Sequence, residues 1–169
     1  MKKTIKTICL ISVLILGVVL SGCGEDKEQA FTMQEVKTYK EGSFKSDVLG
    51  VKVIRGSSAL AEFVSQNSHK IDLSTDRSKY VDSTICFEKA IEKYDSTFFE
   101  NSFLAIDIFT EGTTSATHKA KSISEDGSKI ILNIQQAVPD GQTLMECIHI
   151  LICELPNEYA DKNIDFKLS

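Results

Sequence analysis

Three histidines, three downstream cysteines and one serine-bearing loop are the residues of this chain whose types could carry chemistry. Cys147 and His149 are two apart in an apolar run, so on a strand their side chains share one face, about 6.6 Å apart. With His118 from a second strand they form the nearest approach to a zinc ligand set, which needs three or four N, S or O donors. Two ligands in an oily strand more often read as a packed thiol and a hydrogen-bonded core histidine, so no metal is assigned and no cofactor is expected. Ser115, His118 and Asp107 are the only trio from which a hydrolase could be drawn. No strained G-x-S-x-G turn surrounds Ser115, and only Gly112 stands where an oxyanion loop would be needed. No Cys-x-x-Cys, phosphate loop or dinucleotide fingerprint is present. The reading is non-enzymatic, with no catalytic residue named. His69, in a polar loop, reads as solvated.

Five cysteines stand in the chain. Cys9 lies in Ile8–Leu20, thirteen residues without a charge, preceded by Lys2, Lys3 and Lys6. That run is short for a membrane span, which takes about 20 apolar residues, and suits the apolar region of an export signal. Residues 1–22 are therefore set apart as a signal peptide. The step Leu20-Ser21-Gly22-Cys23 resembles the bacterial lipobox at all four positions. That resemblance implies cleavage between Gly22 and Cys23 and acylation of the Cys23 thiol. Two or three acyl chains at one residue hold a protein on a bilayer lastingly, where one holds marginally. The implied location is the cell membrane, lipid-anchored on its extracytoplasmic face. Residues 23–42 are read as the lipidated cysteine and its tether, and 43–169 as one globular domain.

Loss of residues 1–22 takes three lysines and no acid, leaving 16 basic against 24 acidic residues, a net charge of −8. An acidic chain lacks the basic face that phosphates require, which argues against nucleic-acid binding. Cys86, Cys147 and Cys153 remain as an odd set. Cys147 and Cys153 would be about 20 Å apart on one strand, beyond disulfide reach. A bridge from Cys86 to either is left open, and buried free thiols are the simpler reading.

Periodicity supplies the elements that must position these groups. VLGVKVIR (48–55) reads as a strand. SSALAEFVSQN reads as a helix capped by Ser57 or Ser58, and ICFEKAIEKYD as a second helix capped by Ser83 or Thr84. FLAIDIF, HKAKSIS and KIILNIQQAV read as strands. An Asp126-Gly127 hairpin joins the last two, and Pro139-Asp140-Gly141 makes a further turn. MECIHILICEL is apolar on both faces and should lie centrally with cover on each side. IDFKL reads as a short edge strand. The fold class expected is α+β, two N-terminal helices packed on a mainly antiparallel sheet of about four or five strands.

From about Phe98 the chain resembles the C-terminal domain of PrcB-type accessory lipoproteins of surface protease complexes. The run is FFENSFLAIDIFTEGTTSATHKAKSISEDGSKIILNIQQAVPDGQTLMECIHILICELP, with residues 98–156 as the similar strand region. Shared features are the Gly-small loop, the K-x-x-S-I strand, the Asp-Gly hairpin, the Pro-Asp-Gly turn and the closing apolar strand. Ser115-Ala116-Thr117-His118 departs from the usual Gly-Gly-Tyr. The resemblance implies a module that docks on or stabilises another envelope protein. Gly112, Thr113, Thr114, Ser115 and His118 are the candidate partner loop, since small residues between strands can present backbone groups. The alternative is a small-ligand or metal-binding lipoprotein using the region of His118, Cys147 and His149.

Overall fold

The computed structural model describes residues 27–28, 31–76, 85–140 and 146–169. Residues 1–22, read above as an export signal, together with Cys23, Ser83, Thr84 and Gly141, lie outside the described residues.

The chain is α+β with mainly antiparallel sheets. Among the described residues eight strands run β1 (Lys27–Glu28), β2 (Thr32–Thr38), β3 (Gly50–Ile54), β4 (Ser102–Glu111), β5 (Thr117–Asp126), β6 (Lys129–Ala137), β7 (Cys147–Pro156) and β8 (Asn163–Leu168). Among the described residues three helices, α1 (Ser57–Asn67), α2 (Phe87–Ile91) and α3 (Ser96–Asn101), fall between β3 and β4. The strands form two sheets, ordered β2-β7-β4-β3 and β1-β5-β6-β8. Among the described residues only the β6–β8 pair is parallel.

This corrects the expected single sheet. β7 is central between β2 and β4, as its two apolar faces require, and each face meets a different layer. Even-numbered residues Leu104, Ile106, Ile108, Ile148, Ile150 and Ile152 pack with Leu60, Phe63 and Phe87 of the helices. Odd-numbered Phe103, Ala105, Leu151, Cys153 and Leu155 pack against Ile123, Ile130, Leu132, Ile134 and Ile164 of the second sheet. The helices cover only one face of β7. The β5–β6 hairpin folds over the other, because leaving a row of large apolar residues wet would cost roughly 1.5–3 kcal/mol each.

The helices are not N-terminal, since three strands precede them. Thr32–Thr38, placed within the tether 23–42, is an edge strand paired with β7 from Thr32↔Glu154 to Thr38↔Ile148. Its half-buried Glu35 and buried Lys37 hid it: a strand with charges on one face does not alternate in the ordinary apolar-in, polar-out sense. α1 spans SSALAEFVSQN, with Gly56 rather than a serine at its cap. α2 is shorter than expected and ends at Ile91, and α3 restarts behind Asp95, whose carboxylate accepts from the Phe98 N–H. Cys86, Cys147 and Cys153 are all free and buried.

Candidate functional site

Between the two sheets the filling changes along the strands. Apolar side chains occupy one end and ionisable ones the other. Strand parity explains how they meet. On β6, Ile130, Leu132 and Ile134 face inward, and the same parity carries Gln136 to the polar end. β2 contributes Glu35 and Lys37, β4 contributes Phe109 and Glu111, and β7 contributes His149, all odd-numbered and so on the sandwich face. Register puts His149 between Lys37 and Phe109, and Cys147 beside Glu111.

His118 reaches this site through a bulge. The β5–β6 register runs Ala120↔Ile134 and then Ser122↔Asn133, so Lys121 is an extra residue on β5. One inserted residue flips side-chain parity. It lets even-numbered His118 and odd-numbered Ile123 both point inward, each buried. Without the bulge one of the two would face solvent.

The geometry is a closed ring of two imidazoles between two carboxylates. Glu35 Oε1 lies 2.9 Å from His118 Nδ1 and 2.7 Å from His149 Nδ1. The His118 backbone N–H donates to Glu35 Oε2 at 3.2 Å. On the far side His118 Nε2 is 3.4 Å from Glu111 Oε1, and His149 Nε2 is 3.3 Å from Glu111 Oε2. The Gln136 amide donates to Glu111 Oε1. His149 Nε2 also lies 3.3 Å from the Thr113 carbonyl oxygen. Phe109 stacks on His149 at 5.6 Å and meets His118 edge-on at 5.3 Å. Neither imidazole has any exposed side-chain surface, while Glu35 and Glu111 retain 14% and 12%. The carboxylates thus mark the side from which the cluster is least covered.

Electrostatics favour charge on Glu35. Burial pushes its carboxyl up, but the hydrogen bonds from His118 and His149, with the Lys37 ammonium nearby, outweigh burial and hold it down at about 2. Lys37 is itself buried, and its ammonium donates to the carbonyls of Thr114 at 2.9 Å and Ala116 at 2.5 Å. Those bonds tie the loop 112–116 down to β2.

His118 and His149 do converge. Cys147, the third residue of the expected metal set, is displaced by Glu35: among the described residues the grouping with metal-ligand spacing is Glu35, His118 and His149. Burial raises the Cys147 thiol to about 11, with Lys37 opposing, and its Sγ–H is directed at the Ile148 carbonyl at 3.7 Å. Of the candidate partner loop, Gly112 and Ser115 are exposed and Thr114 is half-buried, but Thr113 and His118 are buried and cannot be presented to a partner. The Ser115–His118–Asp107 trio does not form a relay, since both nitrogens of His118 face glutamates and neither serves Ser115. Glu35, Lys37, Glu111 and Gln136 escaped the sequence reading. A shared signal existed: each is a polar residue at an inward parity on a strand.

The fold and the site define a helix–sheet–sheet sandwich with a buried Glu–His cluster at one end. Compared with family models, curated proteins and solved structures, the chain finds no match.

Proposed function

We propose that this chain is a lipid-anchored protein of the extracytoplasmic membrane face, whose folded part is a non-catalytic accessory domain for another envelope protein. The observation that carries the reading is the step Leu20-Ser21-Gly22-Cys23 behind thirteen uncharged residues. Acyl chains on Cys23 would hold the domain at the bilayer. A net charge of −8 would keep its body off an anionic lipid surface. The run from Phe98 to Pro156, similar to PrcB-type domains, supports a docking role. Those residues take in the end of α3 and the strands β4, β5, β6 and β7. The inward turn of His118 supports a structural use of that residue in preference to an exposed contact.

The test is metabolic labelling with a palmitate analogue, membrane fractionation, and cross-linking in detergent-solubilised membranes. The wild type should take up label, sediment with membranes and recover one protein in stoichiometric amount. Cys23→Ser should lose label and membrane association. Label on Cys23→Ser, or a wild-type preparation that cross-links to nothing, would count against the reading.

A further inference from the structure

Glu35 Oε1 is the acceptor of both Nδ1–H groups. The separations of 2.7 and 2.9 Å are hydrogen-bond distances. A carboxylate on Nδ1 fixes a neutral imidazole as the Nδ1–H tautomer and leaves its Nε2 lone pair free to bind. Both Nε2 atoms face Glu111. Lone pairs and carboxylate oxygens set against each other, away from water, repel unless positive charge lies between them. Glu111 Oε2 and His118 Nε2 are buried atoms without a hydrogen-bond partner. The 3.3 and 3.4 Å separations on this side are longer than the usual N–H···O distance of about 2.9–3.0 Å. Each Nε2 faces a different oxygen of Glu111, so the carboxylate spans the two rings.

The geometry points to a divalent transition-metal ion of the zinc class, held by His118 Nε2, His149 Nε2 and the Glu111 carboxylate. The Thr113 carbonyl oxygen, 3.3 Å from His149 Nε2, is a further oxygen at this end of the sandwich. Glu35 is the positioning residue: it orients both rings through Nδ1 and does not touch the ion. Gln136 orients Glu111 in the same way from the second sheet. The Phe109 ring supplies the apolar wall. The ion would staple β4, β5 and β7, and so both sheets, at the end of the sandwich that lacks an apolar filling. The competing arrangement puts two protons where the ion would be, making both rings imidazolium, with His149 donating to Thr113. It carries the same added charge and is what the experiment must separate.

The full chain is purified in detergent without chelator, and its zinc content is measured. The metal is then removed, zinc is titrated back by calorimetry, and cobalt(II) is substituted. One zinc per chain is expected, with the visible absorption of four-coordinate cobalt and no thiolate charge-transfer band. Glu111→Gln should weaken zinc by more than about 100-fold. Glu35→Gln should weaken it by about 10–100-fold with the cobalt spectrum retained, as an outer-sphere change does. Near-UV circular dichroism checks that each variant is folded. Should the variants fail to fold, nitrogen-15 spectra of the wild-type histidines still decide: zinc must shift Nε2 and leave the proton on Nδ1. A folded wild type that takes up neither zinc nor cobalt establishes the imidazolium pair and overturns the proposal. Zinc affinity unchanged in Glu111→Gln, coordination through Nδ1, or a thiolate band from Cys147 overturns the ligand assignment.

Discussion

Glu35 Oε1 and His118 Nδ1 sit 2.9 Å apart across the gap between two sheets, although 83 residues separate them in the chain. The same oxygen takes the His149 ring at 2.7 Å, so one carboxylate satisfies two buried imidazoles. Glu35→Ala removes that acceptor from both. The expected loss is about 1–3 kcal/mol for each imidazole left without a partner. Chemical denaturation of the purified chain checks this. A loss under about 0.5 kcal/mol, the range of an ordinary surface change, would show that the rings do not depend on Glu35.

Lys37 is the second long-range tie, bonded to the Thr114 and Ala116 carbonyls. Lys37→Met keeps much of the aliphatic bulk and deletes the ammonium. It should cost about 1.5–3 kcal/mol, the range of hydrogen bonds to a charged group. It should also speed proteolytic cutting within residues 112–116, because the loop loses its anchor to β2. Cutting rates equal to wild type would place the loop's restraint elsewhere.

Asp107 is half-buried on β4, opposite Val51 and Leu151. Burial pushes its carboxyl above the ordinary 3.8, and the Ile108 backbone N–H only partly draws it back. The folded chain therefore keeps this proton to higher pH than the unfolded chain does. Stability from this group falls as pH rises from the ordinary value through the raised one. Asp107→Asn should raise the melting temperature at pH 7 and leave it unchanged or lower at pH 3. Melts of both proteins at the two pH values decide it; a gain at pH 3 alone would reverse the sign.

The three downstream thiols should be inert in the folded chain. Burial raises Cys147 to about 11 and lifts Cys153 well above its usual value. At pH 8 Cys147 would be only about 0.1% thiolate, and the thiolate is the nucleophile. Iodoacetamide at pH 8 should leave Cys86, Cys147 and Cys153 unlabelled until denaturant is added, when all three react. Mass spectrometry of the peptides reads the outcome. Rapid native labelling of Cys147 would mean that the polar end of the sandwich opens to solvent.

Much of the local structure was legible. The 3.6-residue pattern marked α1 over its whole length, and alternation marked β5 and β6 with the Gly127 hairpin between them, where φ of +59° suits glycine. The double apolar face of MECIHILICEL placed β7 at the centre. Local pattern said nothing of which layer would cover which face, so the second sheet was folded into the first. β2 was missed because charge on a strand reads as solvent exposure unless its partner is known.

The candidate site divides in the same way. Sequence alone put Cys147 and His149 on one face of β7 and named His118 as a companion from a second strand. It offered Cys147 as the third donor, because spacing along one strand is all that a sequence measures. Tertiary structure chose Glu35 and Glu111, since only strand order and register bring β2 and β4 to either side of β7. It also set the bulge at Lys121, which a sequence of alternating residues cannot announce and which turns His118 inward. Composition and periodicity determined the chain's charge and most of its elements. The meeting of two histidines and two glutamates was decided by long-range pairing, because each of the four comes from a different strand or a different sheet and none is adjacent to another in the chain.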